Sequence, residues 1–385
     1  MVKRLRPSRF WPRLWVVARV LPSLLAAWLW PGRRHLAALP QRILIAHHLL
    51  LGDTIMLAPL LKKLRQTLPQ ADIVLLCPPA WLPLFAGQPY GVRALAYDQR
   101  SLAAHRQLFG EAPFDWALVP GDNRWSWIAR AMGARWITAF AGDERPVSKN
   151  WPIDQFIAWP DSPAAWGDIV HLLAPGAFAA TYAPSDWPAP QKPSTFVAPV
   201  APYCVLHLGA SSPHKHWPVA NWQAAAAWAA AQGLTVVLSA GRGEQDLIHA
   251  VDPDGQYPAY AGSLDLAGVW HLLAGARLLL CLDTGIAHLA RLVGTPTVAM
   301  FGPGSPLISG PGLFWRHSPF TAVWVADIAC RDQSLLFERP LPWVRHCWRS
   351  VGECASPRCM QAISVEAVLR AAEQLLLENG NERAQ

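Results

Sequence analysis

The stretch that decides the fold is residues 203–218, YCVLHLGASSPHKHWP, in which an apolar run ends in a turn of small residues. The same pattern recurs at residues 278–288, LLLCLDTGIAH. Each predicts a buried β-strand that leads into a helix, where backbone N–H groups and the positive end of the helix dipole attract anions. Two such turns in one half of the chain predict a binding site for a diphosphate.

Strand-like and helix-like stretches alternate on both sides of these two turns. The alternation predicts an α/β fold in which mostly parallel sheets are covered by helices on both faces. The predicted strands span residues 43–46, 73–76, 116–119, 203–206, 235–240, 278–282 and 297–301. The predicted helices span residues 55–68, 125–132, 220–231, 266–273, 286–293 and 365–377.

Prolines divide the chain into two halves, because residues 182–202 are rich in proline and poor in periodic apolar residues. Such composition is typical of a linker. We therefore expect a basic leader at 1–41, an N-terminal Rossmann-like domain at 42–181, the linker at 182–202, and a C-terminal Rossmann-like domain at 203–385 with a closing helix. Two such domains form a cleft between the carboxyl ends of their sheets, where ligands bind.

The net charge of +7 is concentrated in the leader, because residues 1–42 hold nine Lys and Arg and no acidic residue. The rest of the chain is slightly acidic, so we expect no nucleic-acid partner. The apolar stretch 10–30 contains tryptophans and arginines, which favours an anchor in the interface of an anionic membrane. A single-pass span is disfavoured by Arg19 but stays open, as does a solvated tail, whereas a cleaved signal peptide fits poorly.

The seven cysteines fall into two groups. Cys77, Cys204 and Cys281 lie in apolar runs and are predicted to be buried. Cys330, Cys347, Cys354 and Cys359 follow one another near the C-terminus, with spacings that do not match a compact zinc pair but leave a metal site open. A reduced, cytosolic compartment is the simpler interpretation.

The first turn places two hydroxyls and an amine where a phosphate is expected. Ser211 and Ser212 precede Lys215 between the end of a strand and the start of a helix. Hydroxyl donors and a point charge in this position predict phosphate binding. The alternative is a solvated lysine in an ordinary loop.

The second turn adds a helix cap and a close approach to the backbone. Thr284 is a candidate cap, and Gly285 lets an oxyanion approach the chain. His288 follows one helical turn later and is either a core histidine or a donor-site residue. Asp283 either holds the loop or binds a substrate hydroxyl.

Two further acidic residues follow strands. Asp53, in the loop 49–54, is a candidate general base at the mouth of the cleft, or simply a helix N-cap. Glu244, at the end of the segment 239–244, is placed to accept from ribose hydroxyls, or belongs to a structural turn. A lone Gly-x-Gly is weak support for nucleotide binding.

Together these segments resemble the glycosyltransferase family 9 enzymes, the lipopolysaccharide core heptosyltransferases. Residues 209–218 and 283–290 are similar to the two donor-side signatures of that family, and residues 51–54 with the Pro59-Leu60 pair to its N-terminal signature. The resemblance runs from about residue 42 to residue 377. Segments around 114–116 and 129–130, and the Cys347, Cys354 and Cys359-Met360 pattern, also resemble the family.

The resemblance implies a GT-B fold and inverting transfer of heptose from ADP-heptose to a sugar hydroxyl of a lipid-linked acceptor. It implies Asp53 as the general base and Glu244 as the adenosine-ribose ligand, with Asp283 and His288 near the donor sugar. The residues implied to hold the diphosphate are Ser211, Ser212, Lys215, Thr284 and Gly285. No Asp-x-Asp pair is placed to carry a metal, so no metal cofactor is expected. The implied location is the cytoplasmic face of the inner membrane, with residues 1–41 on its surface.

One departure leaves the substrates open, because Leu49 and Leu50 stand where the family usually has small hydroxyl residues. An apolar loop beside the base implies a different acceptor or altered positioning. The alternatives are the same fold with another nucleotide sugar and acceptor, or a membrane-tethered protein without catalysis. A dehydrogenase is not expected, since neither first β-α turn has the Gly-x-Gly-x-x-Gly pattern.

Overall fold

The computed structural model describes residues 9–30, 32, 34–111 and 113–382. The predicted leader residues Lys3, Arg4, Arg6 and Arg33 lie outside this part of the chain. Two six-stranded sheets, parallel throughout, form the two halves of the molecule, and a two-stranded antiparallel hairpin follows the second sheet. The predicted α/β class with two Rossmann-like halves is confirmed.

The two sheets have the same strand order. The first contains β1 (Arg42–Ile45), β2 (Asp72–Cys77), β3 (Val92–Ala96), β4 (Trp116–Val119), β5 (Trp136–Phe140) and β6 (Gln155–Ile157), in the order β3-β2-β1-β4-β5-β6. The second contains β7 (Tyr203–His207), β8 (Thr235–Ala240), β9 (Ala259–Ala261), β10 (Leu278–Leu282), β11 (Thr297–Phe301) and β12 (Phe320–Trp324), in the order β12-β11-β10-β7-β8-β9. The hairpin is β13 (Leu335–Leu336) with β14 (Arg339–Pro340). In each sheet the order reverses beside the first strand, and ligands bind at that point in such sheets.

Helices cover both sheets, joined by loops that include short 3₁₀ turns. In the N-terminal half they are α1 (Phe10–Leu29), α2 (Leu51–Ile55), α3 (Ala58–Thr67), α4 (Leu82–Phe85), α5 (Leu102–Phe109), α6 (Trp125–Ala131) and α7 (Trp166–Val170). In the C-terminal half they are α8 (Val219–Ala231), α9 (Gln245–Val251), α10 (Leu266–Gly275), α11 (Gly285–Val293), α12 (Pro306–Ser309), α13 (Arg358–Gln361) and α14 (Val365–Glu382). The closing helix α14 packs against the second sheet.

The first helix, α1, is docked on the N-terminal domain. It packs along α6, and its side chains Pro12, Val16 and Val20 are buried there. Arg19 donates to the carbonyl of Ala131 at 2.9 Å, and its guanidinium lies 4.6 Å from the ring centre of Phe109. By length and hydropathy alone, α1 could also cross a membrane.

The predicted helix 55–68 is wrong in its bounds, because the structure has two helices there. The first, α2, begins earlier, at Leu51. The second, α3, begins at Ala58 with Pro59 in its first turn. Proline has no N–H group and fits only at the start of a helix, so the chain turns between α2 and α3.

The proline-rich segment packs into the hydrophobic core that joins the two halves. Trp187 is buried and donates its indole N–H to the carbonyl of Leu84 at 2.9 Å. Tyr182 donates its hydroxyl to the carbonyl of Leu292, in the C-terminal half, at 2.6 Å. These contacts tie the segment to both domains.

Candidate active site

A cleft of about 2080 Å³ separates the carboxyl ends of the two sheets. All nine residues singled out from the sequence line it: three from the first turn, four from the second turn and the start of α11, one from α2, and one from the N-cap of α9. They are Asp53, Ser211, Ser212, Lys215, Glu244, Asp283, Thr284, Gly285 and His288. The structure therefore brings all of them to one crevice.

Asp53 is the third residue of α2, so the interpretation of Asp53 as a simple N-cap is wrong. Leu50 occupies the N-cap position, and the Asp53 carboxylate accepts from the backbone N–H of Leu50. The Asp53 carbonyl accepts from the indole N–H of Trp166 at 3.2 Å, which fixes this end of α2.

The pKa of Asp53 is raised to about 7. Burial is the largest cause, and the carboxylate of Asp283 adds to it, whereas Lys215 acts in the opposite direction. Because a charge changes the pKa only of nearby groups, the loop after β1 and the second domain act on one another across the cleft. A carboxylate with this pKa is half ionised near neutral pH.

Two glycines allow α2 and α11 to touch at the base of the cleft. A β-carbon at Gly52 would lie 2.5 Å from Cδ2 of His288, and one at Gly285 would lie 3.0 Å from Cβ of Leu51. Real β-carbons are almost never found at the first of these distances. Both glycines therefore serve a close contact between domains, a reason that the sequence alone does not reveal.

Lys215 and Asp283 form an ion pair that joins the two turns. The Lys215 ammonium donates to the Asp283 carboxylate at 2.9 Å and to the Asp283 carbonyl at 2.6 Å. Thr284 caps α11, since its hydroxyl accepts from the N–H of Ile286 at 3.3 Å. Ser212 accepts from the N–H of His214 in the same way, at 3.3 Å.

The Glu244 carboxylate joins two loops of the second domain. It accepts from the N–H of Ala210 at 3.1 Å and from the N–H of Gly241 at 2.6 Å. Gly209 lies directly against it, with no room for a β-carbon. Glu244 therefore stabilises this turn, and it also lines the cleft.

His288 is buried beside α2 and is a neutral residue. Burial is the main reason that its pKa lies well below the usual value, and Arg291 and Lys215 lower it further. Its Nδ1 lies 3.5 Å from the guanidinium of Arg291. An uncharged imidazole at this place packs α11 against Gly52 and still faces the cleft.

The N-terminal wall of the cleft contains residues that the sequence analysis missed. His47 is buried, and its Nδ1 accepts from the N–H of Leu49 at 3.2 Å, so Nε2 carries the proton. Burial, with a smaller effect of His48, lowers the pKa of His47 to about 3. The His48 ring stacks on Trp125, with ring centres 5.4 Å apart. A His-His pair directly after the first strand was the available signal.

The hairpin β13–β14 reaches from the C-terminal half to the N-terminal domain. Arg339 is buried and donates to the carbonyls of Gly121 at 3.0 Å and Ala141 at 2.8 Å, and to the Asn123 side chain at 2.8 Å. Burial lowers its pKa to about 10, which leaves it charged at neutral pH. The hairpin closes one end of the cleft, with Phe337 and its neighbours in the wall.

The cysteines are all unpaired. Cys77, Cys204 and Cys281 are buried, as predicted. Within the part of the chain that the structure describes, no group of three or more His, Cys, Asp and Glu side chains is arranged to hold a metal ion. Cys330, Cys347, Cys354 and Cys359 instead line the wall of the cleft beside the hairpin.

Two Rossmann-like domains that face one cleft define the GT-B class of glycosyltransferase folds. Residues 102–318, more than half of the chain, match the profile of Glycosyltransferase family 9 (heptosyltransferase). The chain belongs to this family and is a glycosyltransferase, as the resemblance of its motifs implies.

Named relatives agree with this assignment. Over 294 residues the chain is 28% identical to the Pseudomonas aeruginosa Lipopolysaccharide heptosyltransferase 1, covering 70% of this chain and 81% of that protein. The fold is similar to that of a Veillonella parvula glycosyl transferase family 9 protein, with a TM-score of 0.67 and 17% identity over 88% of this chain and 98% of that one. It is also similar to E. coli ADP-heptose lps heptosyltransferase II, with a TM-score of 0.65 and 20% identity over 88% and 99% of the two chains.

Proposed function

We propose that this glycosyltransferase moves heptose from ADP-heptose to a sugar hydroxyl of the lipopolysaccharide core or a related lipid-linked glycan, with inversion at the anomeric carbon. Family membership supports the reaction class. The observation that carries the proposal is the shared cleft, in which Asp53 of one domain faces the Lys215–Asp283 ion pair of the other.

The donor diphosphate binds at the two turns of the second domain in this proposal. Lys215, the hydroxyls of Ser211 and Ser212, and the N-terminal end of α11 at Thr284 and Gly285 supply charge and hydrogen-bond donors on one side of the cleft. A phosphate oxygen replaces the Asp283 carboxylate as a partner of the Lys215 ammonium. Preorganised donors of this kind stabilise the charge that develops on a leaving diphosphate.

The rest of the donor extends along the same wall. Glu244, which already accepts from two backbone N–H groups, keeps lone pairs for the adenosine ribose. Asp283 and neutral His288 face the region between the diphosphate turn and Asp53, where the donor sugar belongs. In this proposal, the named side chains and backbone groups carry every step of the reaction.

Asp53 acts as the general base. As the acceptor oxygen attacks the anomeric carbon, Asp53 takes the hydroxyl proton, and the bond between that carbon and the diphosphate oxygen breaks. A base works best when its pKa is near the working pH, because it is then both substantially ionised and a good proton acceptor. The raised pKa of Asp53, about 7, meets this requirement.

The residues beside Asp53 favour a second candidate function with the same chemistry. In this function, the enzyme transfers a sugar to a different glycan or uses a different nucleotide sugar. Leu50 is 67% exposed and lines the cleft next to Asp53. Leu49 is buried and packs against Gly121. A β-carbon at position 121 would collide with the Leu49 side chain. An exposed leucine beside the base suits an acceptor that presents an apolar surface at this point.

We further propose that the protein works at the cytoplasmic face of the inner membrane, attached through its leader. The basic charge of residues 1–42 and the apolar surface of α1 support this location.

The test compares nucleotide sugars with the wild-type protein and the Asp53→Asn variant. ADP-heptose is expected to raise the melting temperature of both, more than UDP- and GDP-sugars do, and only the wild type is expected to release ADP with a membrane-lipid extract as acceptor. Stabilisation by a UDP- or GDP-sugar instead would support the second candidate. Full turnover by Asp53→Asn would remove the base assignment, and no turnover by the wild type with any donor would favour a non-catalytic role.

A further inference from the structure

The exposed side of α1 is an apolar surface, which we call the outer face. It consists of Trp11, Leu14, Val17, Leu21, Leu25, Trp28 and Leu29, all exposed. At 100° per residue these side chains fall within an arc of about 120°. The side chains that dock on the N-terminal domain, Pro12, Val16 and Val20, lie on the opposite side of the helix. A helix with one docked side and one exposed apolar side has the form of an interfacial helix.

We propose that α1 lies in the plane of an anionic phospholipid bilayer, with its outer face among the lipids and its other side still docked on the N-terminal domain. The inference deepens the membrane attachment of the proposed function and rests on it for the location. It adds to that proposal the surface that binds the membrane, the class of lipid that is bound, and the orientation of α1 in the bilayer.

The docked contacts argue against a helix that crosses the bilayer. Val16 and Val20 are buried against the domain, and the Arg19 guanidinium is bound to the carbonyl of Ala131. Crossing would break these contacts and place Arg19 near the middle of the bilayer, where a charged side chain is costly. An in-plane helix keeps all of them.

Positive charge beside α1 selects anionic lipids. A cavity of about 510 Å³ next to the C-terminal half of the helix is lined by Arg19, Arg34, His35, Arg130 and Arg135. Arg34 and Arg130 both pair with Asp154, and Arg135 pairs with Asp115, so the four arginines outnumber the two carboxylates that neutralise them. Arg13 is exposed beside the outer face. Residues 1–42 contain no acidic side chain, so two copies of this surface would repel one another. The charge therefore favours a lipid surface over a second copy of the chain.

The position of α1 brings the N-terminal wall of the cleft close to the lipid. The helix packs on α6, whose first residue, Trp125, stacks on His48 in the N-terminal wall of the cleft. Burial lowers the pKa of His48, and Arg9 at the N-terminal end of α1 lowers it further, so this end lies near the cleft. A bilayer that holds α1 therefore lies near the N-terminal wall of the cleft. A lipid-linked acceptor in that bilayer is then close to the wall at which we propose it binds.

The test measures flotation of the full-length protein with vesicles. Binding to vesicles that contain phosphatidylglycerol is expected, and weak binding to pure phosphatidylcholine. The variant Leu14→Ser/Leu21→Ser/Leu25→Ser is expected to bind phosphatidylglycerol vesicles at least about tenfold more weakly. The matched control Leu172→Ser/Leu307→Ser/Leu313→Ser changes three leucines that are exposed away from α1 and is expected to bind like the wild type.

Charge and orientation are tested separately. Neutralising Arg13 and Arg135 to Gln is expected to weaken binding by about fivefold per arginine on anionic vesicles only. An N-terminal epitope tag should resist protease added to intact spheroplasts, and its cleavage would show a spanning helix and overturn the proposal. Equal vesicle binding by the outer-face variant, or a dimer that this variant abolishes, would overturn it too.

The test is independent of the donor. The affinity for ADP, measured by calorimetry, is expected to be the same in the wild type and the outer-face variant. Loss of vesicle binding with intact ADP affinity supports the membrane surface whatever the sugar. A wild type that binds vesicles but not ADP would contradict the proposed function and leave this inference standing.

Discussion

Replacing Asp53 by Asn should remove catalysis and at the same time stabilise the fold. The pKa of Asp53 rises from 3.8 to about 7 on folding, mainly through burial. At 1.36 kcal/mol per pKa unit, the ionised carboxylate costs the folded state about 4 kcal/mol at pH 7. Asparagine carries no charge and keeps an oxygen that accepts from the N–H of Leu50, so the variant avoids this cost.

The sign of the pH dependence follows from the raised pKa. Between pH 3.8 and pH 7 the folded protein holds a proton on Asp53 that the unfolded chain has lost. The contribution of Asp53 to stability therefore falls as the pH rises through this window and is constant above it. The melting temperature of Asp53→Asn should exceed that of the wild type at pH 8 by about 5 °C, because a chain of 385 residues shifts by only about 1 °C per kcal/mol, and the difference should shrink toward pH 4.

Turnover supplies the second readout of the same variant. The wild-type kcat/KM should rise with pH through about 7, as Asp53 ionises. Asp53→Asn should lower kcat by about 10²–10⁴-fold while ADP affinity is kept. The control is Asp327→Asn, which changes an exposed carboxylate in the same cleft. This variant should neither lower kcat nor raise the melting temperature. A variant that is less stable than the wild type at pH 8, or an unchanged pH profile of turnover, would refute the reasoning.

Three further changes test the geometry of the cleft. Lys215→Ala should weaken ADP binding by about 10–100-fold, measured by calorimetry, because one charged hydrogen bond to the diphosphate is lost; unaltered affinity would exclude that role. Gly52→Ala should lower the free energy of unfolding by about 1–3 kcal/mol, and the double variant with His288→Ala should recover most of it if their contact is the cause. Arg339→Met should lower the free energy of unfolding, measured with denaturant, by about 3–5 kcal/mol, because the buried carbonyls that accept from Arg339 lose their donors. A change below about 1 kcal/mol would show that the hairpin contributes little.

The two strand-turn-helix segments of the C-terminal half could be predicted because their information is local. The strand, the turn and the start of the helix at residues 203–218 and 278–288 are consecutive, and apolar runs ending in small polar residues identify them. Five strands of the two parallel sheets were missed: the inner strand β5 and the four edge strands β3, β6, β9 and β12. Among the edge strands, β6 and β9 have three residues each, and β12 is only partly buried. Short edge strands bury little apolar surface, so their sequences lack a strong period.

The contacts between domains could not be predicted because they join residues far apart in the chain. Arg339 and Gly121 are 218 positions apart, and nothing near either residue indicates the pairing. Gly52 looks like an ordinary turn glycine in the sequence. In the structure, a glycine is needed at this position because the His288 ring of the other domain lies against it. The docking of α1 is of the same kind, since the apolar period of residues 10–30 shows an amphipathic helix but not which side faces the domain.

The glycine contact and the ion pair together provide a way to couple the proposed base to the proposed donor site. In the free protein, Lys215 is paired with Asp283, and both act on the pKa of Asp53. A donor diphosphate that takes the Lys215 ammonium leaves more negative charge near Asp53, which raises its pKa and makes it a stronger proton acceptor. This effect falls off with distance, so it needs α2 and α11 in contact, as Gly52 and Gly285 allow. On the proposed roles, binding of the donor and activation of the acceptor hydroxyl are therefore linked through charge where α2 and α11 touch beneath the cleft.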